Sequence, residues 1–232
     1  MHFLSRGASR FLLAATTTFA LVACSDDPTG PVNAGRMRAV HAISNVTGTD
    51  VLFNSATYKA NLAYKATDGY REISTGGTAI KFRKTGVATD LASANITVAN
   101  GVDYTVIGLG TEAAPQSLVL VDSNTTPAAG KIKLRAVHAA ASAGAADVYV
   151  LANANDLATA TPAKTNLVLK GTSDYIVRDA GTYVIIYTQA GTKTPLLTIN
   201  NVQAAAGGIR TVVAVEKAGG GAPLEGIVLT DR

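Results

Sequence analysis

Met37-Arg38-Ala39-Val40-His41-Ala42 recurs 97 positions later as Leu134-Arg135-Ala136-Val137-His138-Ala139. Asp50-Val51 recurs at the same spacing as Asp147-Val148. Further on, Asn61-Leu62 pairs with Asn166-Leu167 at a spacing of 105, so the second copy holds about eight extra residues, placed in the 152–162 stretch. Gly77-Thr78 then pairs with Gly181-Thr182, Tyr104-Thr105-Val106 with Arg210-Thr211-Val212, and Leu118 to Asp122 with Ile227 to Asp231. Order is kept, and the gaps fall in Gly-, Ala- and Asn-rich stretches. Self-similarity of this kind marks a duplicated structural unit.

Each copy spans about 95 residues, a normal size for one sandwich. Short apolar runs alternate with turn signals such as Gly76-Gly77, Gly86 and Asn100-Gly101, the last a strong hairpin signal. In copy one this predicts seven strands, near 36–43, 49–54, 67–74, 77–84, 91–98, 102–109 and 116–122. No window holds a capped helical period. The expected fold is all-β: two tandem immunoglobulin-like or transthyretin-like sandwich domains. The expected boundaries are 36–122 and 131–232, with 123–130 as a linker. A linker this short predicts domains that meet end to end with limited freedom.

The start of the chain reads differently. Arg6 and Arg10 precede an apolar run from Phe11 to Ala23 that ends in Leu21-Val22-Ala23-Cys24. The run is shorter than the roughly 20 residues a spanning helix needs. It resembles the bacterial lipobox, which implies cleavage before Cys24 and acylation of that residue. Residues 1–23 are then a signal peptide, and 24–35, with Pro28, Gly30, Pro31 and Gly35, a flexible tether. Cys24 is the sole cysteine, so no disulfide forms within the chain. Several acyl chains on one cysteine give lasting membrane attachment. Ser25 after Cys24 resembles the default outer-membrane sorting pattern, and Ser25-Asp26-Asp27 resembles an acidic surface-export signal. The expected place is the outer membrane, with the domains facing periplasm or cell surface.

Removal of Arg6 and Arg10 lowers the net charge from +4 to +2. A balance so small predicts no attraction to nucleic acid.

The openings Arg-Ala-Val-His-Ala and Asp-Val resemble the family known as domain of unknown function 4397, whose members open with an Arg-Val-Val-His-Ala strand and continue to Asp-Val-Tyr-Val. Asp147-Val148-Tyr149-Val150 fits that pattern fully, and Asp50-Val51-Leu52-Phe53 less well. The family's Ser-Pro-Asp-Ala-Pro loop is replaced by Ile43 to Val46 and by Ala140 to Ala143. Its Ala-Gly-Thr-Tyr strand stands at Ala180 to Tyr183 and is degenerate at Gly76 to Ala79. The resemblance implies an extracytoplasmic β domain, often in tandem, and brings no known chemistry.

His41 and His138 are the histidines that follow Cys24, and they are equivalent. Alternation puts His41 on the face of Met37 and Ala39, and His138 on the face of Ile132, Leu134 and Ala136, with Arg36, Arg38 and Arg135 opposite. A general base or metal ligand is one reading of such an imidazole. A structural clasp, bonded to backbone or to Asp50 and Asp147, is the other. Duplication favours the clasp, since a fold needs its clasp in every copy. One histidine per domain is too few for a usual zinc site, and no Gly-x-Ser-x-Gly elbow occurs. Asn153, Asn155 and Asp156 loosely resemble a calcium loop but lack its glycine and terminal glutamate. Lys81-Phe82-Arg83-Lys84 reads as a solvated strand face that guards an edge. The chain has no Trp, and Tyr70, Tyr175 and Tyr183 lie where core packing explains them. The expectation is a non-enzymatic binding, adhesion or structural module that needs no cofactor and holds no metal. Its rival is a ligand-binding protein for a glycan, peptide or metal.

Overall fold

The structure, a computed structural model, describes residues 33–232. The leader, Cys24 and most of the tether lie outside the described residues. Strands of the first domain are β1 (Ala34–Ile43), β2 (Gly48–Phe53), β3 (Ala56–Ala63), β4 (Arg71–Ser74), β5 (Gly76–Lys84), β6 (Asp90–Val98), β7 (Asp103–Gly110) and β8 (Pro115–Asp122). The second domain repeats them as β9 (Lys131–His138), β10 (Ala146–Leu151), β11 (Lys164–Leu167), β12 (Ile176–Asp179), β13 (Gly181–Gln189), β14 (Pro195–Ala204), β15 (Ile209–Val215) and β16 (Glu225–Thr230). The only helical element among the described residues is a 3-10 turn, Ala154–Ala158, in the extra loop. No helix among them is long and apolar enough to cross a membrane.

Each domain is a sandwich of two four-stranded sheets. The first has orders β4-β1-β7-β8 and β3-β2-β5-β6, the second β12-β9-β15-β16 and β11-β10-β13-β14. Most pairings are antiparallel, but β1 runs parallel to β7 and β9 parallel to β15. Met37, Ala39, Ile80, Phe82, Val98 and Val106 fill the first core. Ile132, Leu134, Ile185, Tyr187, Val202 and Val212 fill the second.

Eight strands form where seven were expected. The extra one, β3, is an edge strand that buries only Leu62 and shifts register twice against β2. It shows no clean alternation, so it carries no period-two signal. The strand expected over 67–74 shrinks to Arg71–Ser74, preceded by a lone bridge between Thr67 and Val40.

The domains do not meet end to end. Val40, Ala42, Ile107, Leu109 and Leu120 of the first pack face to face on Val137, Ala139, Val213, Val215, Ile227 and Leu229 of the second. The inner sheets are therefore covered on both sides, and the chain stacks four sheets in four layers. The reason is visible in β7, whose eight residues are all buried. Such a strand offers a second apolar face, which must find a partner.

Residues 152–163 cover the outer face of the second domain. Ala154, Leu157 and Ala160 lie over Tyr149, Leu151 and Ile186. In the first domain the position of Ile186 is held by Lys81, as the strand registers show. There Lys81 and Arg83 pair with Asp90, so that face is solvated and needs no cover.

Candidate functional site

The repeated histidines sit at the ends of β1 and β9, both shielded from solvent. His41 Nε2 donates to the Val46 carbonyl at 2.8 Å, while Nδ1 accepts from the Ile43 N–H at 3.2 Å. His138 does the same with Gly144 and Ala140, at 2.9 and 3.2 Å. Each imidazole ties the turn that follows its strand. Burial lowers the pKa of His41 to about 4, against the pull of the Val46 bond, and lowers that of His138 likewise. Both rings are neutral at pH 7 and already use both nitrogens.

Asp50 and Asp147 do not meet the histidines. Asp50 accepts from the Asn61 N–H at 2.8 Å and the Thr85 hydroxyl at 3.2 Å. Asp147 accepts from the Asn166 and Gly191 N–H groups, both at 2.8 Å. Asn61 and Asn166 hold left-handed backbone, φ 46° and 50°, which asparagine tolerates better than most residues. The repeated Asp and Asn are thus two halves of one tie between an inner strand and a bent edge strand.

A second polar cluster lies where the inner sheets meet. Arg38 donates to the Thr105 hydroxyl, the Thr230 carbonyl and the Asp231 carboxylate. Arg135 repeats this with Thr211, Val121 and Asp122. The Thr105 hydroxyl donates to Asp122 and that of Thr211 to Asp231, each at 2.6 Å. Each arginine thus crosses into the other domain, with 3% and 5% of its side chain exposed. Burial pushes the Asp231 carboxyl up, opposed by Arg38 and Thr211. Tyr70 lies under Arg38 and Tyr175 under Arg135, at 4.6 and 5.0 Å. These two tyrosines serve the interdomain seam rather than a domain core, whereas Tyr183 does pack on the second core.

Glu216 is also a buried acid at the interdomain face. It accepts from the Ser44 hydroxyl of the first domain at 2.7 Å and the Ser142 N–H of the second at 2.6 Å. Burial raises its pKa, but the donors outweigh burial and the net shift is downward. The repeat marked Arg38 with Arg135 and Asp122 with Asp231 as matched positions, but it did not show that they meet, and it left Glu216 unmarked, because their partners are distant in the chain.

Other candidates resolve into structure. Phe82 is a core residue, and Lys84 pairs with Glu112 at 2.9 Å. Asn153 caps the 3-10 turn. Among the described residues no three His, Cys, Asp or Glu side chains gather as metal ligands do. The open depressions are shallow, such as the one between Asn54, Thr78, Asn95 and Thr97.

The fold is thus that of a tandem all-β sandwich protein with its polar clusters at turns and at the interdomain face. Residues 35–149 match the family described as a domain of unknown function (DUF4397). The match runs from β1 to β10, through the whole first domain and into the second. No curated protein matches the chain. Among solved structures, the Bacillus anthracis TIE protein is similar at 12% identity and TM-score 0.25, over 80% of this chain and 34% of that one. A leucine-rich repeat protein from Bacteroides thetaiotaomicron is similar at 16% identity and TM-score 0.22, over 80% and 26%. The chain therefore spans about a third and a quarter of those two. The CBM26 module CBMbc of Eubacterium rectale Amy13K, solved with maltoheptaose, is similar at 11% identity and TM-score 0.27, over 85% and 97%.

Proposed function

We propose that this chain is a lipoprotein of the bacterial cell envelope, held in the outer membrane by acyl groups on Cys24, and that its paired domains act as a non-enzymatic binding, adhesion or structural module. The observation that carries the module reading is how the buried polar groups are used. His41, His138, Arg38, Arg135, Asp122, Asp231 and Glu216 are each bonded to other protein groups that hold turns or domains in place. A catalytic group needs free capacity facing a cleft. The anchor reading rests on Leu21 to Cys24 after a positive start, with a Pro- and Gly-containing tether beyond.

Metabolic labelling with palmitate tests the anchor. Label enters the wild type and is absent from Cys24→Ser, which also escapes normal cleavage. A Cys24→Ser protein cut and membrane-bound as before overturns the anchor. Protease treatment of intact cells then separates outward-facing domains, removed at once, from domains sheltered until the outer membrane is permeabilised. Hydrolytic activity lost on His41→Ala or His138→Ala overturns the non-enzymatic reading.

Capture of a glycan, peptide or metal is the narrower alternative. One asymmetry between the two halves of the molecule favours a peptide.

A further inference from the structure

The face-to-face pairing of the domains leaves two seams that the repeat makes equivalent. In the first, β16 of the second domain borders residues 64–70 of the first. The end of this seam beside Ser44 and Tyr64 is covered. The β15–β16 connection crosses it as a strap, residues 217–224, and the Gly219 N–H donates to the Ser44 carbonyl at 2.6 Å. The Tyr64 hydroxyl donates to the Glu216 carbonyl at 2.6 Å, and Lys65 pairs with Glu225 at 2.5 Å. Ser44 is buried beneath the strap.

The second seam lies between β8 and residues 169–175. Position by position it has lost its cover. Leu169 stands for Tyr64, Ala141 for Ser44, Gly110 for Glu216 and Gln116 for Glu225. The strap is replaced by the short turn 111–114, which folds back on its own domain. There the Glu112 N–H donates to Asn45 at 2.6 Å, and the Glu112 carboxylate takes Lys84. Ala141 and Lys170 are exposed, and Val168 is 54% exposed. Leu118 and Leu169 only partly join the interdomain core. Lys170 is the counterpart of Lys65 and holds the same left-handed backbone, φ 64° against 62°. Both N–H groups bond the carbonyl of the domain's histidine at 2.8 Å. Lys65 meets a carboxylate, and Lys170 meets none among the described residues.

We propose that the second seam is a docking site for a glycine-rich, turn-forming segment of a partner protein that carries a carboxylate to pair with Lys170. The proposal rests on the binding-module reading and names its site. The occupant's chemistry is read from the same molecule, because the equivalent seam is already filled by such a segment. Gly219, Gly220 and Gly221 all hold positive φ, and a Cβ on Gly220 would stand 3.4 Å from both Ser44 Oγ and Glu216 Oε2. That backbone is one glycine adopts without strain, and the strap ends on Leu224 and the acid Glu225. A segment of this length buries well under the roughly 1,600 Å² of a standard interface, so the affinity is modest.

The probe is a synthetic peptide with the sequence of residues 217–225, Lys-Ala-Gly-Gly-Gly-Ala-Pro-Leu-Glu, titrated into the full mature chain and followed by amide chemical shifts. The expected result is saturable shifts at Ala141, Val168 to Lys170 and Gln116 to Leu118. Lys170→Glu, or Gln for Glu in the peptide, weakens binding by about tenfold or more. Lys170→Gly is the second variant, since glycine keeps the left-handed backbone without the charge. Silence at these residues at millimolar peptide overturns the groove, as do shifts confined to Ser44 and Tyr64 or full binding by both Lys170 variants. Those failures leave the palmitate and protease results untouched, so the groove and the envelope module fall separately.

Discussion

Arg38 and Asp231 are 193 positions apart, yet the guanidinium of one donates to the carboxylate of the other inside the interdomain face. Arg135 and Asp122 repeat the contact in the opposite sense. Each domain supplies one arginine and one acid, so the face is self-complementary in the manner of a two-fold dimer made within one chain. Removing one partner leaves an uncompensated buried charge. Arg38→Ala is expected to cost about 3–5 kcal/mol in urea unfolding, whereas Arg38→Met with Asp231→Leu returns most of that loss. Equal stability of Arg38→Ala and wild type would mean that the pair does not hold the domains.

The histidines set a pH dependence. His41 has a folded-state pKa of about 4 against about 6.5 when unfolded. Below 6.5 the unfolded state binds a proton that the folded state refuses, so stability is full above pH 6.5. It falls as pH drops towards 4 and then levels for this group. The loss from His41 is of order 3 kcal/mol, and His138 adds to it in the same direction. Urea midpoints at pH 7.5 and 4.5 measure it, and His41→Gln is expected to flatten the difference.

Gly108 allows Phe82 to fill the first core. A Cβ at Gly108 would stand 2.7 Å from Phe82 Cδ1, in a core without room to yield. Gly108→Ala is expected to cost about 1–3 kcal/mol, and Phe82→Leu in the same chain to relieve part of it. Thermal unfolding of the three variants shows whether the two positions couple.

Deleting residues 153–162 uncovers Tyr149, Leu151 and Ile186 on the outer face of the second domain. The shortened chain is expected to bind a hydrophobic dye and to aggregate. Adding Ile186→Lys copies the arrangement of Lys81 and is expected to reduce both. A shortened chain as soluble as the wild type would show that the loop has no covering role.

Much of the fold is legible in local pattern. The Arg-Ala-Val-His-Ala strands, the Asp-Val pairs and the matched Asn-Leu pairs are the parts of the structure that each copy must repeat. Asp50 with Asn61 and Asp147 with Asn166 are joined by direct hydrogen bonds, so both partners recur together. Strand β3 escaped because an edge strand that buries one side chain has no period. The second buried face was written in Ala39 to Ile43 and in Tyr104 to Leu109, apolar at odd and even positions alike. That pattern shows that both faces are covered, but not by what.

The sequence by itself determined the duplication, the all-β sandwich class and the place of the histidines on the apolar faces, because turns and alternation act over a few residues. Only the tertiary structure decided that the domains stack face to face, that Arg38 and Arg135 cross between them, and that one seam is strapped while the other is bare. Those features depend on contacts between residues far apart in the chain, which no local period encodes.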